Sequence, residues 1–272
     1  MSVTTDFAGA GRALRPGLCA ALLGLCVPIT APAADDAASS WQYELVPYFW
    51  AAGMKGDVQA GGLPKTSVDI GFSEIWDHLD FGAMATFEGR KGRWGFLFDA
   101  IYMKVSSSAT SSRTGPGPIG ATLTATANLE MEQTLLTAAA TYRLSDGSTA
   151  TDIVGGARYF KIDASASIDA SLFALTGTVA RSGDKDWVDP FIGARVQHSL
   201  SDRWSVVGYA DIGGFGIGSK LSWQALAGVS YDFTKTVSGK FGYRYMSVDY
   251  DKSGFLYDMD TYGLYLGVGF RF

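Results

Sequence analysis

The sequence predicts an all-β protein: a closed, antiparallel, up-and-down transmembrane β-barrel of about ten strands, with a short helix in its first external loop. Three observations carry this prediction. The chain ends on a strict alternation of large apolar residues with small or polar ones, stopping at Phe272. The same period recurs upstream in further segments of spanning length. Short and longer connections between those segments alternate along the chain.

The final segment states the pattern most plainly. Tyr262, Leu264, Leu266, Val268, Phe270 and Phe272 form one face. Thr261, Gly263, Tyr265, Gly267, Gly269 and Arg271 form the other. In a strand successive side chains point to opposite faces, so the first set suits hydrocarbon and the second a crowded interior. No later run is long and apolar enough for a spanning helix.

Reading back from this end, residues 237–245 turn Val237, Phe241, Tyr243 and Tyr245 outward, with Lys240 and Arg244 inward. Residues 219–233 turn Leu221, Trp223 and Val229 outward, with Gln224 and Asp232 inward. Residues 204–212 place Tyr209 and Asp211 inward, and residues 94–102 place Asp99 inward. Residues 41–51 and 81–89 carry Glu44 and Glu88 inward. Three weaker segments, 133–144, 151–161 and 188–200, hold Arg143, Arg158, and Asp189 with Arg195 in the inward phase. Ten segments result. Twelve is the alternative if residues 57–72 hide two strands, and eight is a further alternative. Each arm of 57–72 is too short to span, which makes it a hairpin beyond the membrane.

Short turns are expected at residues 91–93, 145–148, 201–203 and 234–236. Longer connections are expected at 55–80, 106–120, 164–185, 214–218 and 251–257, with 164–181 a further strand extension. Short turns face the periplasm in such barrels, so both termini belong there. Trp41, Tyr43, Trp94, Tyr142, Trp204, Tyr231 and Phe272 fall beside the short turns as an interfacial girdle. Tyr102, Tyr159 and Tyr262 serve the outer rim. Pro47 and Pro190 lie within strands, where each removes a ladder donor and calls for a bulge or an edge.

The beginning of the chain reads as a secretory signal over residues 1–33, leaving 34–272 as the barrel domain. Arg12 and Arg15 precede an apolar run at residues 18–29, and Ala31-Pro32-Ala33 supplies the small residues before cleavage. Both cysteines, Cys19 and Cys26, lie in that segment, so cysteine catalysis and zinc–thiolate sites are excluded from the remainder. The net charge is −5 with no basic block, which gives nucleic acid no electrostatic footprint.

The inward phase mixes both signs. Glu88, Asp99, Arg158, Arg195, Asp211 and Arg244 are the candidate lumen-lining residues, either as a structural charge lattice or as the walls of a narrow polar conduit. On the lipid face a midplane Arg or Lys would cost about 2–4 kcal/mol, which explains why charge is sorted inward.

Catalytic, cofactor and metal sites are not expected. His78, with Asp77 and Asp80, sits in a short amphipathic helix over residues 72–80, capped by Ser73, and reads as a solvated face. His198-Ser199 lies beside a short turn, the wrong end for lipid chemistry. Asp184, Asp186, Asp249, Asp251, Asp258 and Asp260 lie near the outer rim, in a spacing that matches no defined calcium loop.

Two stretches carry a resemblance. WQYELVPYFWAAGMKGDV with FSEIWDHLDFGAMATFEGRKGRWGFLFDAIYM, and WQALAGVSYDF with GYRYMSVDY, resemble a widespread family of uncharacterised proteobacterial outer-membrane β-barrel proteins. The resemblance implies the fold and the cell outer membrane of a Gram-negative bacterium, and no activity. The Phe-ended alternation, Tyr262 to Phe272, looks like the signal read by the barrel-assembly machinery. Outer-membrane lipid and lipopolysaccharide are the expected partners. The functional expectation is a structural or narrow, porin-like role. The alternative is a surface-binding protein acting through its external loops. A lipid-acting enzyme would need a polar cluster facing lipid at the outer rim, and none is legible.

Overall fold

The computed structural model describes residues 40–59, 65–114, 122–172 and 175–272. The expected signal over residues 1–33 lies outside them. The elements are β1 (Gln42–Gln59), β2 (Thr66–Ile70), α1 (Phe72–Asp77), β3 (Leu79–Lys91), β4 (Trp94–Thr114), β5 (Thr122–Ser145), β6 (Thr149–Leu172), β7 (Leu175–Ser199), β8 (Trp204–Gly213), β9 (Leu221–Asp232), β10 (Val237–Lys252) and β11 (Phe255–Arg271).

Consecutive strands from β3 to β11 pair antiparallel, β3 also pairs with β1, and β11 closes the ring on β1. Among the described residues ten strands form the wall. The eleventh, β2, pairs only with the upper part of β1. It is the arm of a hairpin at the rim, which removes the twelve-strand and eight-strand alternatives. The short turns all fall at one end of the barrel, called the turn end here; the other is the hairpin end.

The period-2 pattern predicts the two faces correctly. Trp94, Phe98, Leu264 and Leu266 stand exposed on the outside, whereas Val154, Arg158, Asp189, Ser222 and Ser238 are fully buried inside. Inward glycine on β11 lets the wall approach closely: a Cβ on Gly263 would run into the Ala51 carbonyl of β1. Aromatic rings mark both ends of the outer apolar band. At the turn end Trp41, Tyr43 and Phe96 cluster, and Trp94 meets Tyr142 at 4.9 Å. At the hairpin end Trp223 stacks on Tyr245 at 5.0 Å, and Tyr245 on Tyr262 at 6.1 Å.

Residues 164–172 and 175–181 form the strand extension expected, whereas two expectations of loop need correction: residues 106–114 and 251–257 are mainly strand. β4 to β7 run 21–25 residues, far beyond the roughly 9–11 that cross a bilayer, because ladder pairing continues past the outer aromatic ring. Likewise β10 and β11 stay paired to Lys252 and Phe255, and a two-residue turn joins them. Ser253 and Gly254 occupy it with φ of 55° and 76°, the double left-handed geometry that matches strand twist.

The helix spans Phe72–Asp77, shorter than expected, and Ser73 does not cap it. Gly71 holds the cap position in an extended conformation, and its carbonyl accepts the N–H groups of Glu74 and Ile75. Residues 79–80 belong to β3 instead, drawn into pairing with β4 across a bulge.

Each proline interrupts the ladder that its missing N–H faces. The β1–β11 register skips Val46 and Pro47, between Leu45 and Tyr48, and on the β8 side of β7 the ladder begins only beyond Pro190.

Candidate functional site: the charge-paired lumen

The six candidate lumen residues face inward and come together as three ion pairs. Glu88 on β3 accepts from Arg195 on β7 at 2.7 and 2.8 Å. Asp99 on β4 accepts from Arg244 on β10 at 3.2 Å. Asp211 on β8 accepts from Arg158 on β6 at 3.2 and 2.7 Å. In the ring of ten, β3 and β7 stand four places apart by the shorter route, as do β4 and β10. Two of the three pairs therefore reach across the barrel rather than along its wall.

At mid-height two of these pairs, Asp99–Arg244 and Asp211–Arg158, join into one network. Asp99 also accepts from the Tyr48 hydroxyl at 2.7 Å and from Thr86 at 3.0 Å. Arg244 donates from Nε to Gln224 at 3.0 Å and from Nη1 to Tyr48 at 3.1 Å. Gln224 donates to Asp211 at 2.6 Å, and so does the Tyr209 hydroxyl. The chain Thr86–Asp99–Arg244–Gln224–Asp211–Arg158 thus crosses the lumen through residues that are mostly buried. Low polarity strengthens each of these bonds and makes an unpaired member costly. The Arg158 guanidinium lies over the Phe191 ring at 4.7 Å, and that of Arg244 over Trp50 at 4.9 Å.

A second layer fills the turn end. Arg90, Arg143 and Arg195 converge on Asp152. Glu44 takes Lys240 at 2.6 Å and Arg271 at 3.2 Å, and Arg271 reaches Asp232 at 2.9 Å. Above the mid-height network the filling becomes apolar. Trp187 stacks between Phe160 at 4.9 Å and Tyr250 at 4.3 Å, packed with Met246, Tyr257 and Met259.

Asp189, in the inward phase of the same segment as Arg195, lies inside the barrel. Asp189 is fully buried and accepts from the Ser219 N–H at 2.7 Å and the Ser219 hydroxyl at 2.6 Å. It holds down the connection between β8 and β9. Ser219 falls in the phase of the outward Leu221 in the sequence, but the strand begins only at Leu221, so Ser219 was not legible as its partner. Asp152, the hub of the turn-end layer, was also missed, since it falls at the very start of a weak segment.

The remaining candidates stand apart. His78 Nδ1 lies 2.9 Å from the Glu74 carbonyl oxygen of its own helix. His198 is exposed at the turn end, 2.7 Å from the Thr149 hydroxyl. Asp249 and Asp251 share Lys220 at 3.6 and 3.0 Å. Tyr262, Leu264, Leu266, Val268, Phe270 and Phe272 form the outward face of β11, and Phe272 exchanges both backbone hydrogen bonds with Tyr43 at 3.0 Å.

No family model and no curated protein matches the chain. Solved structures do. The outer membrane protease OmpT from Escherichia coli superposes with a TM-score of 0.53 at 10% identity, over 85% of this chain and 97% of that one. The translocator domain of the autotransporter NalP from Neisseria meningitidis gives 0.39 at 14% identity, over 85% and 88%. Ail, the attachment invasion locus protein of Yersinia pestis, gives 0.30 at 14%, over 86% and 99%. The likeness to OmpT is one of fold.

Proposed function

We propose that this chain is an integral outer-membrane protein of a Gram-negative bacterium, with a structural role or that of a very narrow pore. The observation that supports this most is the pair of bonds across the lumen, Glu88–Arg195 and Asp99–Arg244. Side chains that meet from nearly opposite walls leave little bore for solute. The exposed apolar band between two aromatic rings supports the membrane setting, with lipid and lipopolysaccharide as its surroundings. The turn end then faces the periplasm and the hairpin end the exterior. The outward series of β11 is proposed as the signal for the assembly machinery. The reading is non-enzymatic. Each histidine is engaged by a backbone carbonyl or a hydroxyl, with no carboxylate in a general-base arrangement.

Planar-bilayer recording of the refolded protein tests this reading. The unaltered barrel is expected to give no stable large conductance, with Glu88→Ala and Arg244→Ala as opened controls. A stable large conductance from the unaltered protein overturns it.

One observation favours the second reading, a surface-binding role. β4 to β7 rise past the outer aromatic ring as a four-stranded sheet bearing hydroxyl and amide side chains. Thr110 meets Thr126 at 3.0 Å, Ser112 meets Thr124 at 3.1 Å, and Asn128 donates to Asp169 at 3.1 Å. Shortening this sheet would abolish adhesion of whole cells to a ligand if the role is binding, and would leave the barrel itself intact.

A further inference from the structure

The barrel wall is not continuous. β1 and β3 pair only from Gln42↔Arg90 to Pro47↔Ala85. Beyond that point β1 stays bonded to β11, and β3 to β4, but no ladder pair joins residues 48–53 to residues 79–84 among the described residues. The last ladder pair before the gap is Pro47↔Ala85.

The depth of this gap follows from register. Phe49 lies opposite Leu266, and Gly53 opposite Tyr262. The gap therefore opens in the upper half of the outward apolar band, at the level of the outer leaflet on the membrane reading above, on which this inference rests. Backbone polar groups left free in hydrocarbon are strongly disfavoured, so such a gap has to be filled.

The filler is α1. Phe72 and Trp76 pack edge-on against the outward Phe49, with ring centroids 5.9 and 5.4 Å away. Ile75 goes the other way and is buried in the apolar cluster inside the barrel, at 7% exposure. The Trp50 N–H, freed by the gap, turns to the Met84 sulfur at 3.3 Å, a weak acceptor. The helix has only six residues, no side-chain cap and no basic residue in its last turn. So short a helix has little stability of its own and is held by packing alone.

Behind α1 lies the apolar upper lumen, with Arg244 as its floor beneath Trp50. Two donors there have no acceptor. The indole N–H groups of Trp50 and Trp187 are both buried and unpartnered, although indoles buried in proteins usually find a partner.

We propose that the β1–β3 gap is a lateral door to an apolar binding site in this half of the barrel. Helix α1 is the leaf, and Ile75 is the side chain a guest displaces. The guest is a long-chain fatty acid taken from the outer leaflet. Its chain replaces Ile75 among the apolar side chains, and its carboxyl oxygen accepts from Trp50 or Trp187. Access from the side fits a lumen that is crossed by ion pairs below.

The test uses the refolded barrel in phosphatidylcholine nanodiscs, titrated with palmitate and read by the indole N–H signals in nuclear magnetic resonance. Trp50→Phe and Trp187→Phe assign the two buried indoles. The chain past residue 33 has no cysteine, so Phe49→Cys with Trp76→Cys can be bridged by a short bis-alkylating thiol reagent to lock the leaf. Saturable shifts of the Trp50 or Trp187 signal, lost in the bridged barrel and regained when the same double variant is left unbridged, are expected. Unmoved buried indoles, or equal binding by the bridged barrel, overturn the door and its site. Gel mobility of the same samples, with and without boiling, separates the two readings. A barrel that is heat-modifiable but does not bind palmitate sinks only the site, whereas a chain with no heat-modifiable form sinks the membrane reading as well.

Discussion

Arg244 and Asp99 meet at 3.2 Å from strands four places apart in a ring of ten, so their bond is a strut across the barrel. It also gathers Tyr48, Thr86 and Gln224 around it. A buried ion pair contributes little over an apolar pair of the same volume, but an orphaned member is expensive.

Arg244→Ala is therefore expected to destabilise the barrel by about 3–5 kcal/mol, because Asp99 stays buried without its cation. Arg244→Met combined with Asp99→Leu should recover much of that loss. Urea unfolding in lipid vesicles measures both, and full additivity of the two changes would refute the strut.

Glu88→Ala should open the turn-end layer and bias it. Arg195 would keep only Asp152, which Arg90 and Arg143 already share. The excess positive charge predicts small conductance steps that prefer anions. Reversal potentials across a salt gradient read the sign, and cation preference would count against the layer as drawn.

Leu266→Arg tests the outward face. Leu266 is exposed in the middle of the apolar band. An arginine there should cost about 2–4 kcal/mol in a bilayer, falling toward zero for the same change near an interface. Unfolding free energies at two depths give the profile, and a flat profile would contradict the proposed membrane band.

The rim hairpin makes a prediction about pH. Hydrogen bonds from Lys65 and Ser67 hold the Asp57 carboxyl below the usual aspartate range. A lowered folded-state value means that the contribution is present above the unfolded pKa and lost as pH falls through the folded one. Lys65→Ala should move the Asp57 midpoint up toward its ordinary value, read by carboxyl chemical shifts. Both partners are solvent-accessible, so the overall stability of the barrel should hardly change.

The wall was legible residue by residue. From Tyr262 to Phe272, and again from Trp94 to Tyr102, one face is apolar and turned outward and the other faces a crowded interior. The two environments are so different that period 2 survives in the sequence. The inward position of Glu88, Asp99, Arg158, Arg195, Asp211 and Arg244 followed from phase alone. Two boundaries failed for local reasons. Ser73 looks like a cap only until Gly71 is seen to hold that place, and residues 106–114 look like a loop because small polar residues give no apolar stripe.

The sequence by itself determined which face of each strand is apolar and turned outward, and that Glu88, Asp99, Arg158, Arg195, Asp211 and Arg244 lie inside, because each of these depends on a residue and its near neighbours. The tertiary structure alone decided that the ring closes with ten strands rather than eight or twelve, that Glu88 takes Arg195, that Asp189 takes Ser219, and that β1 parts from β3 above Pro47. Those partners are set by register and by closure of the sheet. Such choices place side chains from distant segments on opposite walls at the same height, and no local pattern encodes them.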